Sequence, residues 1–216
     1  MNSTKTLDRP RLDDIPPVWP PDDNGGGGGG GDSGSSEPEA EFFSGRLGVW
    51  LVMAGVGMIF FAFIATYVFM RLDADTWPPS GGARLPKGMG YGTLIIAFSS
   101  LSVGLGQGAI RRGARQRFFL CFGVAITFGA LFCVMQTWFW YRLLDAGLGL
   151  GGNRFTSSYF ALTALHVAHV LGGLAYLAFA LWSVFRRADH EIVDNAAMFW
   201  HFVGFIWLVL FLVLSL

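Results

Sequence analysis

Five stretches without a single Asp, Glu, Lys or Arg fill almost all of the chain after residue 45: Leu47–Met70, Gly88–Ile110, Phe118–Tyr141, Phe155–Phe185 and Asn195–Leu216. A bilayer core about 30 Å thick is crossed by roughly 20 helical residues, so each stretch is long enough to span. Buried helices of soluble proteins usually keep a polar face, and these stretches have none. The reading is an all-α integral membrane protein, with a five-transmembrane-helix bundle over residues 46–216. Composition agrees: 53% of the 216 residues are hydrophobic, 14% are charged and 21 are Phe.

A formal net charge of zero, with no basic patch interleaved with exposed aromatics, excludes nucleic acid as an expected partner. The two cysteines, Cys121 and Cys133, fall on one expected helix about 18 Å apart, too far for a disulfide. The first 45 residues are of another kind. Pro16-Pro17-Val18-Trp19-Pro20-Pro21, the Gly25–Gly31 run and the acidic Asp32–Glu41 segment have little to bury and no amphipathic period. Residues 1–45 are therefore expected to be a disordered cytoplasmic tail, with Ile15–Pro21 as the one segment suited to docking a partner as a polyproline strip.

Loop charges set the expected orientation. The link between spans two and three is Arg111-Arg112-Gly113-Ala114-Arg115-Gln116-Arg117, Arg186 and Arg187 follow span four, and Arg46 precedes span one. The opposite loops carry the sparser Arg71, Arg84, Lys87, Arg142 and Arg154. Because Lys and Arg are retained inside, the N-terminus is expected in the cytoplasm and the C-terminus outside. Small residues recur within the spans: Gly55 and Gly57, Ser99 to Ser102, Gly104, Gly106 and Gly108, and Gly172-Gly173. They let membrane helices approach closely, as a compact bundle requires.

Polar groups inside the spans are costly and are where function is sought. His166 and His169 share one helical face of span four, His201 lies in span five and Gln136 in span three. His190 and Asp194, one turn apart before span five, are placed to hydrogen-bond each other. From residue types alone two readings of the histidines stand side by side. The pair with His201 could ligate zinc, or two helices could each supply an axial ligand to a heme. Equally, neutral imidazoles could bridge helices or meet lipid headgroups. No Cys-x-x-Cys-His and no acidic group poised as a base accompanies them.

The order of motifs resembles subunit III of the heme-copper oxidases, the cytochrome c and quinol oxidases, from about Gly45 to the C-terminus. The matching residues begin with Leu47-Gly48-Val49-Trp50-Leu51, Met58-Ile59-Phe60-Phe61 and Tyr67, followed by Trp77-Pro78-Pro79 with Leu85-Pro86. Ser99-Ser100-Leu101-Ser102, Arg111-Arg112-Gly113 and Gln136 come next. The most specific are Leu162 to Gly173 with both histidines, then His190 and Asp194, then Trp200-His201-Phe202-Val203 with Trp207.

The resemblance implies a non-catalytic component of a proton-pumping oxidoreductase in a bacterial-type respiratory membrane. Such a subunit packs on catalytic subunit I, beside subunit II and other respiratory-complex subunits. It binds phospholipid and supports proton uptake, assembly and turnover durability. It has no catalytic, cofactor or metal site of its own, the heme and copper being in the partner subunits. On this reading His166, His169, His190, Asp194, His201, Gln136 and Trp77 are bundle, lipid or interface residues, and Arg186 sits at lipid headgroups.

The chain also departs from the family pattern. Buried glutamates of the first span and of a Gln-x-x-Glu motif correspond to Val56 and Phe139, and the Asp of Trp-His-Phe-Val-Asp to Gly204. The glutamate paired with the loop histidine is shortened to Asp194. These losses mark a divergent five-helix member whose proton-linked roles do not carry over. Two alternatives remain: a subunit III-like accessory protein of a nitric oxide reductase system, and an independent heme-binding membrane protein.

Overall fold

The structure, a computed structural model, describes residues 37–75, 88–149, 154–186 and 190–215, with side chains from residue 45 onward. It contains five helices: α1 (Glu37–Leu72), α2 (Met89–Arg111), α3 (Arg115–Asp145), α4 (Arg154–Arg186) and α5 (His190–Ser215). All five are long and apolar enough to cross a membrane. Most of the expected tail, with its polyproline strip Ile15–Pro21, lies outside the described residues, as does Trp77.

Every expected span lies within a helix apart from a residue at the edge, and several helices run further. Helix α1 starts at Glu37, ahead of the expected boundary at residue 45, with Pro38 in its first turn, where a missing N–H removes no intrahelical bond. Helices α3 and α5 likewise start in polar sequence, at Arg115 and His190. An uncharged run marks the part of a helix that crosses hydrocarbon. The backbone continues helical into the headgroup region, where charged side chains are solvated.

Two helix ends are set by glycine. Gly113 has φ 74°, and behind it Ala114 N–H donates to the Ala109 carbonyl at 3.0 Å and Gly113 N–H to that of Ile110 at 2.9 Å. Gly147 has φ 75°, with Leu148 N–H on the Leu143 carbonyl and Gly147 N–H on that of Leu144, both at 3.0 Å. Both are Schellman caps, which use the left-handed conformation to satisfy carbonyls the helix leaves free.

Helices α2, α3, α4 and α5 form a closed ring in which each packs on the next and α5 returns to α2. Successive contacts run in opposite directions along the chain, so neighbours are antiparallel. Trp200 of α5 fills the centre. A Cβ at Gly129 of α3 would lie 2.6 Å from its ring, and one at Gly173 of α4 would lie 2.9 Å from it. The indole therefore occupies space that two missing side chains leave open. Helix α1 rests outside the ring through one stripe, Met53, Val56, Phe60 and Tyr67, all buried. Their three-, four- and seven-residue spacing keeps them on one face. On its other side Met58, Phe61 and Phe69 are more than 70% exposed, a surface for lipid or another chain.

The glycine seat makes a direct prediction. Gly129→Ala should destabilise the bundle by about 1–3 kcal/mol, since the ring and Leu174 must shift in a packed interior. Gly123→Ala, on the same helix with nothing near the added methyl, should be neutral or mildly stabilising. Thermal unfolding of the two purified variants in detergent measures the difference.

Candidate functional site

Polar groups tie the ring together in successive layers. In the first, Trp200 Nε1 donates to Ser99 Oγ at 3.1 Å, and Ser99 Oγ donates to the Ala125 carbonyl at 2.9 Å. One indole thus reaches α2 and, through the serine, α3. In the next, Trp207 Nε1 donates to Thr93 Oγ1 at 3.2 Å, again from α5 to α2. Further along, Gln136 Nε2 of α3 donates to the Tyr159 hydroxyl of α4 at 3.0 Å. Trp140 Nε1 donates to Thr163 Oγ1 at 3.0 Å, and that hydroxyl donates to the Tyr159 carbonyl at 2.6 Å. In a medium without water each such donor needs a protein partner, and the small hydroxyls supply it.

The histidines separate. His166 is fully buried in an aromatic box, with ring centroids 5.1 Å from Trp207, 5.8 Å from Phe132 and 6.1 Å from Phe60. Neither of its nitrogens has a hydrogen-bond partner among the described residues, and neither has Gln136 Oε1. His169 is half-buried on the same side of α4, 5.3 Å from the Phe60 ring. Its Nδ1 lies 2.8 Å from the Leu165 carbonyl, and since that oxygen only accepts, Nδ1 carries the proton. His201 follows Trp200 but is exposed on the outer surface of α5. No group of three or more His, Cys, Asp and Glu side chains converges among the described residues. The proposed zinc triad of the pair with His201 is thus not assembled, because consecutive residues of a helix point about 100° apart.

At the end of the bundle that holds the α2–α3 turn, Asp194 is bound from α2 and not from its own helix. Gln107 Nε2 donates to one carboxylate oxygen and Arg111 Nη2 to the other, each at 3.0 Å. His190, expected as its partner from the one-turn spacing, is exposed. Arg115 donates to the Val184 carbonyl, joining α3 to the end of α4. Arg186 is exposed, its guanidinium 4.8 Å above the Trp182 ring. Gln107 and Gly129 are the contributors that sequence reasoning missed. A glutamine one turn before Arg111 was a visible signal, whereas Gly129 lies among many glycines.

The three positions where the resemblance implies a carboxylate, Val56, Phe139 and Gly204, are closed. Val56 and Phe139 are buried, and Phe139 packs beneath Gly88. A Cβ at Gly204 would lie 3.0 Å from Ser100 Oγ and 3.3 Å from Ile96. A carboxylate at position 204 would therefore need the α2–α5 seam to open.

His166 and Gln136 should answer differently to substitution. His166→Phe should cost less than about 1 kcal/mol, since no hydrogen bond is lost and another ring fills the box. Gln136→Leu should cost about 1–2 kcal/mol by leaving the buried Tyr159 hydroxyl without its partner. Thermal unfolding in detergent reads both, and a larger loss for the histidine change would show that the imidazole has a polar role.

The family model described as cytochrome c oxidase subunit III matches residues 43–216, which takes in all five helices apart from the first six residues of α1. Over 175 residues the chain is 31% identical to cytochrome c oxidase subunit 3 of Synechocystis, covering 78% of this chain and 74% of that protein. It is 27% identical over 173 residues to the corresponding subunit of Thermostichus vulcanus, covering 78% and 85%. It is also 27% identical over 175 residues to cytochrome bo(3) ubiquinol oxidase subunit 3 of Pseudomonas aeruginosa, covering 78% and 83%. An integral membrane bundle of five helices, matched from within α1 through α5, belongs to the subunit III family of the heme-copper oxidases.

Proposed function

We propose that the chain is a non-catalytic subunit of a heme-copper terminal oxidase in a respiratory membrane. It packs on catalytic subunit I, with subunit II in the same assembly, and contributes to assembly and turnover durability. Heme and copper belong, on this reading, to the catalytic chains. The match over residues 43–216 is the observation that carries it. The distribution of polar groups adds support: Ser99 and Gln136, both buried, join helices, and the spans offer no carboxylate for proton transfer.

His201 indicates how the subunit docks. It lies near the middle of α5, exposed, with Phe205 and Leu208 exposed beside it. An imidazole facing hydrocarbon lacks a partner, whereas a neighbouring transmembrane chain can supply one, so this face is suited to the catalytic subunit. The arginine-rich α2–α3 turn, with Arg46 and Arg186, favours an N-terminus in the cytoplasm and a C-terminus outside. Arg186, held over Trp182, is the phospholipid anchor on that side.

Purification in mild detergent through a C-terminal tag, followed by mass spectrometry and a reduced-minus-oxidised spectrum, tests this. A heme-copper catalytic chain with its heme bands should accompany the protein. His201→Ala should lower the amount recovered several-fold, and His166→Phe should not. Heme retained by the isolated chain, or consistent recovery without any catalytic chain, would overturn the reading.

A further inference from the structure

Threonines that face outward within the spans are satisfied by their own helices. Thr66, Thr127 and Thr137 donate to the carbonyls four residues back, at 2.8, 2.9 and 2.9 Å. The half-buried His169 does the same through Nδ1, 2.8 Å from the Leu165 carbonyl. In hydrocarbon, where no water can serve, such back-bonding is the local way to satisfy a donor. Ser100 and His201 depart from this pattern: neither makes a hydrogen bond among the described residues.

The two share one seam and one depth. Ser99 and Ser102, on either side of Ser100, donate to the α3 carbonyls of Ala125 and Cys121. Ser100 is half-buried and turned toward α5, so that a Cβ at Gly204 would lie 3.0 Å from its Oγ. His201 is exposed and precedes Gly204 by three residues, about one turn along the same side of α5. Ser100 is the middle residue of α2, and His201 lies close to the middle of α5. Both therefore stand at the outer rim of the α2–α5 seam near the centre of the bilayer. Ala97 and Gly104, one turn to either side of Ser100, are exposed, and nothing lies near a Cβ at Gly104. The backbone of another helix can approach closely here.

We propose that this rim seats one transmembrane helix of the catalytic chain, and that the helix carries a carboxamide or carboxyl side chain whose oxygen is bonded by Ser100 and His201. The inference rests on the oxidase reading above and adds to it the seam, a second contact residue and the chemistry of the partner. The hydroxyl O–H and an imidazole N–H are two donors, and one sp² oxygen has two lone pairs to accept them. Lipid tails offer no acceptor at this depth. A second copy of this chain fits poorly: its spans contain no carboxylate, Gln136 and Asn195 are buried, and Gln107 is bound to Asp194.

The test uses the full-length tagged protein extracted in mild detergent with the assembly it forms, and reads the catalytic chain recovered per tagged chain. Ser100→Ala removes a hydroxyl that makes no bond within the bundle. It should lower recovery about three- to tenfold, as loss of an interhelical hydrogen bond in a membrane does, and leave thermal unfolding of the isolated chain unchanged. Thr127→Ala, which removes an outward hydroxyl of α3 already bonded to its own helix, should leave recovery intact. A photocrosslinking benzoylphenylalanine at position 97 should join the catalytic chain, at a membrane span containing Asn, Gln, Asp or Glu. Full recovery with Ser100→Ala, equal loss with Thr127→Ala, or a crosslink only to lipid or to a second copy would overturn this inference and leave the oxidase reading standing. Absence of any catalytic chain from the unmodified protein would overturn both.

Discussion

The seating of Trp200 is the constraint on which the bundle depends. Helices in lipid are not driven together by exclusion of apolar surface from water, since the tails around them are equally apolar. They associate where packing is close and polar groups find each other. Trp200 meets both requirements at once: Gly129 and Gly173 make room for its ring, and Ser99 accepts its N–H. With the serine donating onward to Ala125, a single side chain of α5 engages α2, α3 and α4. The Trp207 and Asp194 ties to α2 lie about two and about one and two-thirds helical turns away along the same seam, so they hold its register at three levels.

Helix α1 is joined differently. It meets the ring through a stripe of side chains centred on Phe60, which lies against both His166 and His169. Its seam lacks the paired glycines that seat an indole. A Cβ at Gly57 would lie 3.7 Å from the Phe202 ring, an ordinary contact, and nothing lies near one at Gly48 or Gly55. The result is a closed four-helix ring with a fifth helix laid against it. The His166 imidazole is enclosed by rings and so acts as one more aromatic surface in the joint. Val56 and Phe139 are buried as apolar groups and Gly204 leaves room for Ser100, so among the described residues no buried charge is left needing a partner.

The histidines show how far residue spacing carries. A three-residue separation correctly set His166 and His169 on one side of α4, because that relation is local to a helix. Local reasoning could not decide that one would be sealed and the other half-buried. For Asp194 it chose the partner one turn away, His190, while the carboxylate turned across to Gln107 and Arg111. An ion pair across a seam depends on which helices are neighbours, and their separation in sequence carries no sign of it. The adjacent Trp200 and His201 make the same point, since one is the centre of the bundle and the other faces out. On a helix that is apolar all round, periodicity does not mark an inner face.

What the sequence by itself determined is what hydrocarbon imposes on any chain. Long uncharged runs must be helices that satisfy their own backbone, so the number of spans, their approximate limits and the alternation of loops could be read directly. Motif order added the family. The tertiary structure alone decided which helices close the ring, which polar groups meet within it and which arginine of the α2–α3 turn meets Asp194. The physical reason is that a lipid-facing residue and a buried one are equally apolar. Only the packing of small residues against large ones, glycine against indole above all, distinguishes inside from outside.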